Sequence, residues 1–230
     1  MLAFFALTAC TGTYDGPAAA GEGAAAFGKV RSLLGDGLGG VEICGLGLDV
    51  DCVISEDDGD FLLEPLPMES DVVVTMEKAD HLRTAYLHHT ALDQEWRKTL
   101  MPASLVDTMT ARVDTTFDAD AGHMMFILWA GPDYDAFERV PDVTFALTDD
   151  GGEAVEGTFY QASGGMPDPT LTATSSAGSG GAFNLVPGTY TASLEGATCG
   201  PWFSPDFVPG EPFSVPALAG WATYMDLVCE

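Results

Sequence analysis

Five cysteines, four histidines and a few short runs of aspartate are the residues of this 230-residue chain whose types and spacing could do chemistry. The first cysteine closes the run Leu7-Thr8-Ala9-Cys10 after an apolar start. This run reads as a lipobox: a small residue before the Cys suits the narrow pocket of a processing peptidase, and the Cys10 thiol would carry an acyl chain. Residues 1–9 would then be a signal peptide, and lipid rather than a spanning helix would hold the mature protein on a membrane. Residues 1–9 contain no Lys or Arg, so the expected basic start of a signal is missing and translation is expected to begin upstream of Met1. The competing reading is a frayed apolar terminus.

Cys44, Cys52, Cys199 and Cys229 remain once the anchor is set aside, an even number in two local pairs. An exported chain meets an oxidising compartment where such pairs persist, so Cys44–Cys52 and Cys199–Cys229 are the preferred disulfides among three connectivities. A zinc site built from all four thiolates is disfavoured by spacing, because no C-x2-C or C-x4-C knuckle occurs. Asp57-Asp58-Gly59-Asp60 and Asp118-Ala119-Asp120-Ala121-Gly122 offer carboxylates at close spacing, yet neither carries the glycine and the late glutamate of an EF-hand loop. Asp and Gly are also what hairpin turns use without any ion, and that is the preferred reading. If a cation binds, Asp57, Asp58 and Asp60 are its candidates; no resident metal or cofactor is expected.

His88 and His89 point to opposite faces if they lie in a strand, so they do not converge on one metal. His81 and His123 begin no H-E-x-x-H pattern, and neither a G-x-S-x-G elbow nor a P-loop appears. The chain is therefore read as a non-enzyme. Trp202, Phe203, Phe207, Phe213, Trp221 and Tyr224 cluster late in the sequence. Exposed rings on a β-sandwich can stack on sugars, which makes Trp202 and Phe207 candidate ligand contacts; burial in the second core is the preferred account. With 35 acidic against 8 basic residues the net charge is −27, a surface that repels nucleic acid and anionic headgroups.

The elements that must position these residues are mostly short strands broken by Gly, Pro and Asp turns. Strand-like runs cover 28–33, 41–44, 61–63, 71–76 and 84–88. A second set covers 123–129, 143–147, 157–160, 171–174, 182–185, 189–194 and 222–228. One helix is expected over 104–112, where Ser104 can cap the Asp107 amide and Leu105 and Met109 follow helical spacing. Residues 92–100 read as a further turn or two of helix ending before Pro102.

The halves repeat one plan. The first reads Gly35-Asp36-Gly37-Leu38-Gly39-Gly40-Val41, then Asp57-Asp58-Gly59-Asp60-Phe61 and Leu66-Pro67. The second reads Asp150-Gly151-Gly152-Glu153-Ala154-Val155, then Gly180-Gly181-Ala182-Phe183 and Val186-Pro187-Gly188-Thr189-Tyr190. This pattern resembles the carboxypeptidase regulatory-like (transthyretin-like) β-sandwich module, with Gly59 and Gly181 as hairpin glycines at positive φ and Phe61 and Phe183 entering the cores. The resemblance implies an accessory domain with no activity of its own. The whole arrangement is similar to acidic exported proteins of myxobacteria-like organisms, and Thr11 after the lipid-bearing Cys leans, by resemblance to enterobacterial lipoproteins, toward the outer membrane.

The sequence thus predicts an all-β chain of two tandem antiparallel β-sandwich (transthyretin-like or Ig-like) domains, 28–90 and 120–230. A tether at 10–27 and a helical linker at 91–119 complete it. Its expected role is a non-catalytic, lipid-anchored cell-envelope protein with a structural, adhesive or partner-docking role. The alternative is a carbohydrate-binding surface protein. Its partners would be a membrane through the anchor and a cell-envelope protein or carbohydrate, with no nucleic acid.

Overall fold

The computed structural model describes residues 23–91, 95–131, 138–202 and 208–230. They are nearly all β, as the turn-rich sequence predicts. The first half supplies β1 Ala24–Arg31, β2 Glu42–Gly45, β3 Val53–Ile54, β4 Asp60–Leu66, β5 Asp71–Glu77, β6 Thr84–His89 and β7 Trp96–Thr99. The helix α1, Ala103–Arg112, follows. The second half supplies β8 Gly122–Ala130, β9 Thr144–Thr148, β10 Thr158–Tyr160, β11 Ser179–Leu185, β12 Gly188–Glu195, β13 Cys199–Pro201, β14 Phe213–Ala217 and β15 Ala222–Cys229.

These strands build one long sheet and two short ones. The long sheet has nine strands and runs β10-β11-β8-β15-β6-β5-β2-β3, with β13 also paired to β15. The short sheets are β4-β1-β7 and β14-β12-β9. Strand alternation decides which face each short sheet covers. Tyr86 of β6 joins Phe61, Leu63 and Trp96 in the first core, under β4-β1-β7. Tyr224 is registered with Tyr86, their rings 5.6 Å apart, so it shares that face. Met225 and Leu227 therefore point the other way and enter the second core with Phe145, Tyr190 and Val215 of β14-β12-β9. The two short sheets lie on opposite faces of the long one. Helix α1 covers the second half on the face of Tyr224, its Val106 and Met109 clustering with Met125 and Phe159.

Several local expectations are corrected. Residues 96–99 form a strand, not a helical turn. β7 runs parallel to β1 with Gly28 opposite Trp96, and a Cβ on Gly28 would stand 2.1 Å from the Trp96 carbonyl oxygen. Two further pairings, β15 with β6 and β15 with β8, are parallel in sandwiches expected to be antiparallel throughout. Ser104 makes no cap: Pro102 occupies the N-cap position without a side-chain bond. Residues 171–174 are irregular, pinned through Thr174, whose Oγ1 accepts the Val143 N–H at 3.0 Å. Residues 24–27, expected in the tether, open β1 and bury Ala26. Gly181 lies inside β11 rather than in a turn; there a Cβ would meet the Met124 carbonyl at 2.2 Å, while Gly178 supplies the positive φ of 55°.

Candidate functional site

β15 shares its outer edge between two neighbours. Residues 222–224 pair with 84–86 of β6, and then Leu227, Val228 and Cys229 pair with Pro201, Gly200 and Cys199 of β13. The strands β6 and β15 part at this fork, and the most chemically varied cluster of the molecule fills it. Period-two alternation places Tyr86 and His88 of β6, Trp96 and Lys98 of β7, and Tyr224 and Asp226 of β15 there together, with Trp202 beside them.

At its centre Lys98 Nζ lies 2.5 Å from Asp226 Oδ2, both side chains 15% exposed. Trp129 Nε1 donates to Asp226 Oδ1 at 3.1 Å, and the Arg139 guanidinium stacks 3.5 Å from the Trp129 ring centre. Lys98 Nζ also stands 4.7 Å over Tyr86 and 5.2 Å over Trp96, within cation–π range. Burial pushes the Asp226 carboxyl up, but the charge and hydrogen bond of Lys98, with the Trp129 N–H, outweigh it and hold the group below the usual carboxylate range. Burial, then Asp226, raises the Tyr224 phenol. His88 stands edge-on to Trp96 at 4.7 Å. Burial first, then Lys98 and His89, lowers it to about 4, so its ring is neutral at pH 7.

The cleft among these side chains has room for about one water, about 10 Å³. Among the described residues its lining holds no serine or cysteine that His88 could activate. What the cluster can do is fasten: it ties β7 of the first half to β15 of the second through a buried ion pair walled by rings. A wider crevice of about 160 Å³ also reaches this joint, lined by Asp71, Val72, Val73, Leu87, His88, Ser214 and Pro216.

The residues singled out in the sequence are dispersed. Cys44 and Cys52 are bonded across the β2–β3 loop, and Cys199 and Cys229 across the registered pair of β13 and β15. Asp57 and Asp58 sit in the turn before β4, and Asp60 opens that strand. There Lys29 Nζ reaches Asp58 at 3.3 Å and Asp60 at 3.0 Å, and Asp58 Oδ1 accepts the Asp60 N–H. Among the described residues no group of three His, Cys, Asp or Glu is placed to hold a metal ion. Trp202 is half-buried at the fork, and Phe213 is buried in the second core. Cys10 and Phe207 lie outside the described residues.

The sequence reading missed Lys98, Asp226 and Trp129. A signal existed: the chain has only three lysines, and Asp226 interrupts an otherwise apolar-alternating strand. His123 is a second buried imidazole, stacked 4.4 Å from Phe117. Its Nδ1 accepts the N–H of Asn184, whose side chain donates to Thr115 and Thr116 and accepts from Asp118. Burial lowers this ring to about 4, against the opposing pull of Asp118.

No protein-family model matches the chain, and none of the curated proteins does. Solved structures similar to it include the Bacillus anthracis TIE protein, at 14% identity and TM-score 0.29, over 90% of this chain and 34% of that one. The minor pilin GBS52 of Streptococcus agalactiae is similar at 13% identity and TM-score 0.34, over 85% of this chain and 84% of the pilin. A double mutant of the shaft pilin SpaA from Lactobacillus rhamnosus GG is similar at 9% identity and TM-score 0.29, over 90% and 97%. The chain thus spans about a third of the TIE protein's length. At these scores and identities the likeness carries no ligand, partner or activity to this chain.

Proposed function

We propose that the protein is a non-catalytic, lipid-anchored component of the cell envelope, exposed at the outer membrane or cell surface, with a structural, adhesive or partner-docking role. One observation carries this reading. The side chains best equipped for chemistry, Lys98, Asp226, His88 and the rings around them, are spent on fastening the two halves in a cleft with room for about one water, about 10 Å³. Two disulfides, one in each half, suit an exported body that must hold its shape in an oxidising compartment. The net charge of −27 keeps copies apart and favours basic or neutral partners. Cys10 is the lipid attachment point in this reading, with residues 11–22 as its tether.

The test is acyl labelling with fractionation. Wild type grown with a labelled fatty acid should carry the label and sediment with membranes, whereas Cys10→Ala should be unlabelled and soluble. Equal labelling and equal sedimentation of the two proteins would sink the anchor.

A further inference from the structure

The joint between the halves is narrow. The β6–β15 ladder spans residues 84–86 and 222–224, and beyond it the strands diverge. His88 sits where they part, 3% exposed, with Nε2 buried and without a hydrogen-bond partner. Every element packed around the ring brings its own groups. β7 brings Lys98 and Trp96, β15 brings Tyr224 and Asp226, β6 itself adds Tyr86, and Trp202 closes the side beyond β13. His89 lies on the other face of β6, 3.9 Å from Asp71 of β5. Among the described residues Asp226 is the one carboxylate lining the cleft, and it is already engaged by Lys98 and Trp129.

We propose that His88 makes this joint an acid-sensitive clasp, closed while the ring is neutral and opened when the ring takes up a proton. Protonation sets a second cation beside Lys98, while the carboxylate described in the cleft, Asp226, is already committed to Lys98 and Trp129. A buried charge without its own partner is expensive. The cheapest relief is local: part the short ladder, admit water to the ring, and leave each half with its own core and disulfide.

The sign follows from linkage. Closed, His88 titrates at about 4; opened to water, it returns to about 6.5. A base whose value is lowered in the closed form favours closure above pH 6.5, and that preference is lost as the pH falls from 6.5 toward 4. The opening constant should rise about tenfold by pH 5.5 and about a hundredfold by pH 4. His123 titrates in the same range but lies in a separate cluster near Phe117 and Phe183, so it serves as the control.

Hydrogen exchange on the full chain, corrected for intrinsic rates, tests the clasp. Amides bonded across the β6–β15 ladder, among them the Ala222 N–H that donates to the Arg83 carbonyl, should lose protection by those factors relative to amides of β1. His88→Gln should flatten the loss, and His123→Gln should leave it in place. Joint amides that keep a constant ratio to the cores, or an undiminished loss in His88→Gln, would overturn the proposal. Should His88→Gln not fold, the wild-type fluorescence titration decides, because a protonated imidazole quenches a touching indole. A transition between pH 6.5 and 4 that Trp96→Phe abolishes supports the clasp, and its absence from wild type overturns it.

Discussion

Phe61 and Phe183 follow the same glycine-then-aromatic pattern in the two halves, yet they end in different layers. Phe61 is 4% exposed, in the core between the long sheet and β4-β1-β7, its ring 6.3 Å from Trp96. Phe183 is half-buried on the opposite side from β14-β12-β9, stacked 4.7 Å from Phe159 beneath α1. The difference arises from the place of each strand: β4 belongs to a short sheet, whereas β11 lies in the long one, where Ala182 faces the second core and alternation turns Phe183 to the face of α1. Asn184, held at φ 57°, is spent there on fastening the 115–118 loop. A repeated motif fixes a strand and its turn; which layer covers that strand is decided by partners elsewhere in the chain.

The sharpest way to break this comparison is truncation of both rings. Phe61→Ala should cost about 3–5 kcal/mol in urea unfolding, and Phe183→Ala only about 1–2 kcal/mol, because its ring is partly solvated already. Equal losses would restore the matched cores that the sequence suggests. Next in size is the tie between the halves. Asp226→Asn should cost about 3 kcal/mol by leaving Lys98 buried without its partner. The double variant Lys98→Met with Asp226→Leu should recover most of that loss; failure to recover would mean that the rings, not the charges, fasten the joint.

Acid should weaken the second half through His123. Its value is lowered to about 4, so the stability it contributes is full above pH 6.5 and fades as the pH falls toward 4. The loss should reach about 2 kcal/mol by pH 5, and His123→Gln should remove that share of the slope in chemical denaturation at a series of pH values. The smallest contrast separates the disulfides. They close loops of sequence separation 8 and 30, so opening Cys199–Cys229 should cost about 1 kcal/mol more than opening Cys44–Cys52 by loop entropy. Paired Cys→Ser variants compared by thermal unfolding would show the reverse order if strand pairing alone held β13 to β15.

Much of this was legible locally. Alternation in 84–88 and the run of valines in 71–76 marked strands. The four cysteines fell into near pairs whose disulfides the structure contains. Residues 96–99 misled because four residues before a proline carry too little period to separate a strand from a helical turn. The joint itself left no local trace: Lys98 and Asp226 stand 128 residues apart, and pairing at that distance is set by the sheet rather than by either segment. Trp202 was singled out for sugar stacking and is found half-buried at the fork, lining its cleft beside the ion pair.

β15 follows every other described strand in sequence and yet sits inside the long sheet, between β8 and both β6 and β13. As the chain is synthesised, β6 and β8 therefore emerge with bare backbone edges, which wait for residues 222–229 before either is satisfied. Contacts of such long sequence separation form slowly. During the wait those edges are the places where two nascent copies would stick together. Arrival of β15 fills both edges in one event, and only then do Cys199 and Cys229 meet, so their bond follows the closing of the long sheet rather than initiating it.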